Sequence, residues 1–238
     1  MQTENKKAMV KKIHYCWFGG KPKPKKIRKC IASWKKYFPD FEIIEWNESN
    51  FDINCCEYVK NAYNLKKWAY VSDYCRLLKL YEHGGLYFDT DVEVIKRFKD
   101  EFFNTPFVTL EIAEYVAIGM GGTIYVEKND PFCKALLDSY EGESSLEKAE
   151  GSRFTKSICD RAYDYFIQYG FVREDKFQYL NGYTLYPSEY FSPLNNLTQK
   201  MHKTKNTYSI HYYIGSWFTF GEKLHNWFYR LEKKLHIK

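Results

Sequence analysis

Two consecutive glycines, Gly84 and Gly85, divide a stretch with helical periodicity, Leu65–Glu82, from one that alternates with the period of a strand. Glycine reaches positive φ without a Cβ penalty, so the pair predicts a helix closed by a left-handed cap. The chain beyond it, Leu86–Ile95, must then run extended. There Leu86, Phe88, Thr90, Val92 and Val94 alternate with Tyr87, Asp89, Asp91 and Glu93. A continuous strand would carry three carboxylates on one face, and like charges at that spacing repel. Something positive is expected to offset them.

The preceding segments show the same alternation of element types. Val10–Phe18 reads as a short strand stopped by Gly19–Gly20 and the prolines Pro22 and Pro24. Ile27, Ile31, Trp34 and Phe38 recur at helical spacing until Pro39–Asp40, and Phe41–Trp46 is a second apolar strand. A strand–helix–strand order predicts parallel pairing and an α/β fold with a mixed central sheet flanked by helices. No GxGxxG or GxxxxGK[ST] follows the first strand, which argues against a dinucleotide fold or a P-loop. Further on, Pro106–Leu110 reads as a strand, Ile118–Gly122 as a glycine-rich loop, and Pro131–Tyr140 and Arg153–Tyr169 as helices. Phe177–Tyr186 and Thr207–Ile214 read as strands and Phe220–Leu235 as a helix. With no internal repeat and no low-complexity linker, a single domain over residues 1–238 is expected.

Composition narrows the class. With 45% hydrophobic residues the chain can bury a core and is not disordered. The net charge of +6 attracts phosphates of any kind without choosing among nucleotides, nucleic acid and anionic lipid. Seven cysteines without a CxxC pair argue against both a disulfide framework and a zinc site. Met1–Lys12 is polar and charged, so a cytoplasmic home is expected.

Four groups of residues carry candidate chemistry. Asp89 and Asp91 in Asp89-Thr90-Asp91 can face one hard divalent cation, Mg2+ or Mn2+, or form an ordinary solvated turn. Asp73 and Arg76 share a helix face, either as a local ion pair or as a grip on ribose hydroxyls and phosphate. Trp17, at the end of the first strand, is a stacking ring for a base or a core tryptophan. In His211-Tyr-Tyr-Ile-Gly-Ser216, the imidazole can complete a metal shell and Ser216 can donate to a phosphate oxygen. A lone histidine in an aromatic strand is more often a satisfied core residue.

Taken in order, several stretches resemble glycosyltransferase family 32, the group with a DXD sugar-binding motif that is often found in capsular polysaccharide synthesis. They are Ile13-His-Tyr-Cys-Trp-Phe-Gly-Gly20, Ser33-Trp34, Trp46-Asn47-Glu48, Ala69-Tyr-Val-Ser-Asp-Tyr-Cys-Arg76, Leu80-Tyr-Glu-His-Gly-Gly85 and Tyr87-Phe-Asp-Thr-Asp-Val92. Tyr186-Pro187, Tyr190-Phe191 and His211 through Ser216-Trp217 match the family's tail, and Glu111–Tyr179 is the weakest stretch. The resemblance implies a GT-A fold and a retaining, metal-dependent transfer from a nucleotide-sugar, a UDP-sugar above all, to an acceptor hydroxyl. It also implies roles: Trp17 stacks on the uracil, and Asp73 and Arg76 grip ribose and sugar-diphosphate. Asp89 touches ribose or metal, Asp91 ligates the metal, His211 and Ser216 make late metal and phosphate contacts, and Trp217 lids the diphosphate. Asp89, Asp91 and Arg76 would be the catalytic set, with Mn2+ or Mg2+ as cofactor, and a saccharide or lipid-linked saccharide as acceptor. Glu111, after an apolar strand, is a candidate for the acceptor side.

Two other classes compete. A metal-dependent phosphoesterase or nuclease would use the same carboxylates but needs a larger ligand set for two metals. A non-catalytic binder of sugar or RNA would use Tyr and Lys and has no need of paired carboxylates; nucleic acid is not the expected partner. At the C-terminus, Phe220, Leu224, Trp227, Phe228, Leu231 and Leu235 form one apolar stripe, with Lys223, Arg230, Lys233 and Lys234 on the flanks and opposite face. Such a helix either lies on an anionic membrane, which would make the protein peripheral there, or packs on the protein's own core.

Overall fold

The computed structural model describes residues 9–142, 156–216, 224 and 228–230. Its centre is a seven-stranded sheet in the order β2-β1-β3-β6-β5-β8-β7. The strands are β1 (Lys12–Cys16), β2 (Glu42–Trp46), β3 (Gly85–Tyr87), β5 (Phe107–Ile112), β6 (Val116–Val126), β7 (Gln178–Leu180) and β8 (Tyr183–Tyr186). As the strand–helix–strand order predicts, β1 lies parallel to both β2 and β3; β6 then enters antiparallel to β3 and makes the sheet mixed.

Side chains of successive strand residues feed two separate cores, one on each face of the sheet. Cys16, Tyr87, Val108, Leu110 and Ile124 point to one core, covered by α2 (Glu57–Asn64), α3 (Trp68–His83), α4 (Pro131–Asp138) and α5 (Ile158–Ile167). Ile13, Tyr15, Leu86, Phe107 and Tyr125 point to the other, under α1 (Lys25–Tyr37) and α6 (Ser188–Phe191). This second core is unusually aromatic, with Trp34, Phe38, Phe88, Phe98 and Phe191 all essentially fully buried.

Several sequence expectations are corrected. α2 lies in a stretch that the periodicity left unassigned, and α3 starts at Trp68 because Lys66, at φ 56°, breaks the run from Leu65. Ile118–Gly122 is part of strand β6, not a loop. Gly84 does end α3 with φ 66°, but its ψ of −178° is not that of a left-handed cap; this extended, positive-φ region belongs essentially to glycine. A Cβ there would stand 2.6 Å from the Lys128 backbone nitrogen.

The largest correction concerns Leu86–Ile95, which is not one strand. β3 ends at Tyr87, the chain turns at Thr90–Asp91, and β4 (Val92–Val94) pairs antiparallel with β9 (Ser209–His211) in a separate two-stranded sheet. The turn is held by Asp89 N–H donating to Gly121 O at 2.9 Å and Val92 N–H to Asp89 O at 3.0 Å. Trp34 Nε1 donates to Val92 O at 2.7 Å and seats β4 on α1. The three carboxylates therefore never share a strand face, and each has its own cationic neighbour: Asp89 has Arg76, Asp91 has His211, and Glu93 has Lys29 at 2.9 Å.

The predicted C-terminal helix falls mostly outside the described residues. Leu224 and 228–230 are helical, with Leu224 and Phe228 exposed. Arg230, placed by the pattern among the membrane-facing cations, instead donates to Asn196 Oδ1 at 2.7 Å.

Candidate active site

A cavity of about 290 Å³ opens where the chain leaves β1 and β3. These are C-terminal ends of neighbouring parallel strands, where ligands of open α/β sheets collect. Each wall has a local reason. Gly19 is at φ +87°, and a Cβ on it would meet the Trp68 ring at 2.7 Å, so the loop after β1 can close down on α3. Trp17 N–H donates to Trp46 O at 2.9 Å, and its indole donates to Lys21 O at 2.7 Å. Ala69, Ser72, Asp73 and Arg76 follow i, i+3, i+4, i+7 and form the face of α3 that lines the cavity.

Three ligand-type atoms meet at the bottom. One from each of Asp89, Asp91 and His211 lie within 4.8 Å of one another. The β3–β4 turn supplies the carboxylates, and β9, paired with β4, brings His211 from more than a hundred residues away. Asp91 Oδ2 accepts from Ile214 N–H at 2.7 Å. Its other oxygen, Oδ1, is buried without a hydrogen-bond partner, although His211 Nε2 is 3.3 Å away. Gly121 leaves room for the group: a Cβ there would fall 2.2 Å from Asp89 Oδ2 and 3.2 Å from His211 Cε1.

Arg76 underlies the cluster. It is only 4% exposed. Nη1 donates to Met120 O, and Nη2 donates to Asp89 Oδ1 at 2.9 Å and lies 3.3 Å from Asp73 Oδ1. Its guanidinium lies 4.4 Å from the Tyr87 ring centroid, and Tyr87 OH donates to the same Asp89 oxygen at 2.9 Å. Asp89 is thus fixed from two sides. On the far side Tyr213 packs against His211, with ring centroids 4.0 Å apart and planes inclined by 39°, and donates to Glu111 Oε2 at 3.1 Å. That carboxylate lies 3.8 Å from His211 Nδ1, which is buried without a hydrogen bond.

Four carboxylates face two cations here, and the proton affinities reflect the excess. Burial pushes Asp73 up to about 7, with Arg76 opposing and Asp89 adding to the rise. Burial likewise raises Asp89 against the pull of Arg76. Asp91 ends below the usual carboxylate range because His211 and the Ile214 N–H outweigh its burial. Burial would lower His211, but the neighbouring carboxylates, Asp91 foremost, raise it to about 10. Two carboxylates and an imidazole with an unsatisfied buried oxygen form a donor set suited to a hard or borderline divalent cation.

Trp17, Asp73, Arg76, Asp89, Asp91, His211 and Ser216, the residues that the sequence singled out, all line this one cavity. Trp217 lies outside the described residues. Tyr87, Gly121 and Tyr213 were missed, as were Cys159, Asn196 and Arg230 on the opposite wall. A glycine pair inside a β-rich stretch is a signal for close approach, and it could have flagged Gly121.

Residues 24–108 match the family described as the glycosyltransferase sugar-binding region containing a DXD motif. The match spans well under half of the chain and supports an enzyme of the transferase type with a DXD-containing stretch. Among solved structures, a PaToxG glycosyltransferase resembles the chain with a TM-score of 0.53 and 23% identity, over 68% of this chain and 72% of that one. That likeness bears out the mixed α/β architecture of a seven-stranded sheet flanked by helices. A structure of a transferase mutant with two cysteines replaced by serine aligns at a TM-score of 0.44 and 12% identity, over 66% of this chain and 86% of that one. No curated protein matches the chain.

Proposed function

We propose that the chain transfers a glycosyl group from a nucleotide-sugar, a UDP-sugar, to a saccharide hydroxyl with retention of anomeric configuration. The observation that carries this reading is the Asp89–Asp91–His211 cluster, with its unpaired buried Asp91 oxygen, at the base of a cavity walled by Trp17. The cluster would hold Mn2+ or Mg2+, which when bound supplies positive charge to a departing diphosphate. The protein's own groups do the positioning. Arg76 and Tyr87 hold Asp89 in place, and the Ile214 N–H holds Asp91. Asp73 presents a partly buried carboxylate to ribose hydroxyls, Trp17 a ring face to the base, and Ser216 a hydroxyl to a phosphate oxygen. In a retaining transfer of this kind, the leaving phosphate oxygen takes the proton of the incoming hydroxyl on the same face of the sugar.

A phosphoesterase or nuclease would need ligands for a second metal ion. Among the described residues, the histidines, cysteines and carboxylates form one cluster of three. Polysaccharide or oligosaccharide synthesis in the cytoplasm, on lipid-linked or free acceptors, is the setting that the family resemblance favours. Among the described residues no helix is long and apolar enough to cross a membrane.

Thermal unfolding with UDP, with Mn2+ and with both tests the reading. Stabilisation that requires both together is the expected result. Equal stabilisation by UDP alone would remove the metal from the site. A panel of nucleotide-sugars scored by nucleotide release then identifies the donor.

A further inference from the structure

A second cavity, of about 250 Å³, adjoins the first and shares Glu111, Cys159 and Asn196 with it. We infer that this cavity is the acceptor subsite and that it takes a saccharide ring. The inference rests on the glycosyltransferase reading above, since an acceptor site has meaning only beside a donor site.

The lining has the two features that a sugar ring requires. A pyranose presents a flat C–H face and a belt of hydroxyls, so it is held by aromatic faces together with planar hydrogen-bonding groups. Here Tyr115 and Tyr163 flank the Arg173 guanidinium, with 4.1 and 4.3 Å from its central carbon to the ring centroids. Arg173 is exposed and gives one nitrogen to Val116 O at 3.3 Å. The rest of its fork is available for hydroxyls, and the paired rings fix its plane. Tyr115 is 46% exposed; Arg173 covers one face of its ring, so a sugar would pack on the other. Ala117, on β6, contributes a small side chain to the wall.

The junction is placed for transfer. Glu111 belongs to both cavities, accepts from Tyr213 and lies 3.8 Å from His211 Nδ1. A hydroxyl reaching from the Arg173 side toward the Asp89–Asp91–His211 cluster therefore passes this carboxylate. Trp17 and Ser216 line only the first cavity, so base and phosphate contacts fall on the opposite side of the junction.

The test is saturation-transfer NMR on the full chain with UDP and Mn2+ present. The probes are glucose, galactose, mannose and their N-acetylhexosamines, with a Ser/Thr/Tyr-containing tripeptide as the competing acceptor class. At least one sugar should bind. Ala117→Leu, which fills the cavity, and Arg173→Ala, which removes the stacked fork, should each weaken it at least tenfold. The UDP affinity of each variant reports that the donor side remains folded. Binding of no sugar, sugar binding unchanged in Arg173→Ala, or binding of the tripeptide alone would overturn the assignment. A wild-type chain without Mn2+-dependent UDP binding would fail before any sugar is added, overturning the donor reading and the subsite with it.

Discussion

Asp91 has one oxygen committed to the Ile214 N–H and one, without a hydrogen bond, 3.3 Å from His211 Nε2. Asp91→Asn keeps an oxygen for Ile214 but loses the charge. It should abolish the Mn2+-dependent part of the UDP thermal shift, and the ligand-free unfolding temperature should fall because the buried His211 loses its carboxylate partner. Relief of repulsion with Glu93 is not expected to add stability, because Glu93 lies on β4 and is met by Lys29 and by Tyr212 OH at 2.6 Å. Arg76 works differently, since its fork spans Met120 O, Asp89 and Asp73 at once. Arg76→Ala leaves two largely but not fully buried carboxylates, Asp73 and Asp89, without their cation and should lower stability in urea unfolding by about 3 kcal/mol. Arg76→Lys keeps the charge on a single nitrogen that cannot span these acceptors. Donor turnover, read as nucleotide release, should fall by an order of magnitude or more. Trp17 has Lys23 Nζ 5.4 Å from its ring, and Trp17→Ala should weaken UDP by about 1–3 kcal/mol in calorimetry through lost stacking. Equal binding by variant and wild type would remove the stacking role.

At the scale of elements, the site depends on a strand that stops early. β3 ends at Tyr87 so that Asp89 and Asp91 can sit on a turn, and β6 crosses behind that turn with Gly121 at the point of closest approach. Gly121→Ala places a methyl group 2.2 Å from the Asp89 oxygen. Asp89 must then move, and with it the cluster it shares with His211. The expected outcome is loss of Mn2+-dependent UDP binding with an unchanged far-UV circular dichroism spectrum. Retained binding would mean that the cation does not depend on the present position of Asp89.

At the scale of the whole molecule, the two cores make the sheet's burial nearly complete on both faces, and one titratable group is caught in it. His14 on β1 is fully buried; its Nε2 lies 2.9 Å from Gly84 O, and Nδ1 accepts from Trp46 Nε1 at 3.1 Å. This pattern requires the neutral imidazole. Burial, opposed by the Gly84 bond and helped by the charge of His83, lowers its pKa to about 4 from the usual 6.5. The folded-state value is depressed, so the unfolded chain takes up the proton first on acidification. The contribution is fully present above about pH 6.5 and is lost progressively as pH falls toward about 4. A shift of that size corresponds to about 3 kcal/mol. Urea unfolding at pH 7.5, 6, 5 and 4.5 should show this loss, and His14→Gln should flatten the pH dependence that His14 contributes. An equally steep profile in the variant would assign the loss to other groups.

That these residues line one cavity was suggested by the order of the motifs and the family resemblance, since each short local pattern also reads as an ordinary turn, ion pair or core residue. Asp89-Thr90-Asp91 follows a glycine pair, Asp73 and Arg76 lie one helical turn apart, and Trp17 comes at the end of an apolar run. The class of fold was legible too, since a strand–helix–strand alternation leaves few ways to bury apolar faces. The strand break at Asp89 was not. Alternation of apolar and polar residues continues without interruption through Leu86–Ile95, and period alone cannot show that the chain changes sheets midway. That change is decided by β9, which pairs with β4 from a distant part of the sequence and carries His211 to the carboxylates. The same limit hid the wall formed by Cys159, Asn196 and Arg230, three residues that no local spacing connects. Short-range periodicity reports which face of an element is apolar. Which elements meet, and therefore which charges end up sharing a buried site, is settled by packing between segments far apart in the chain.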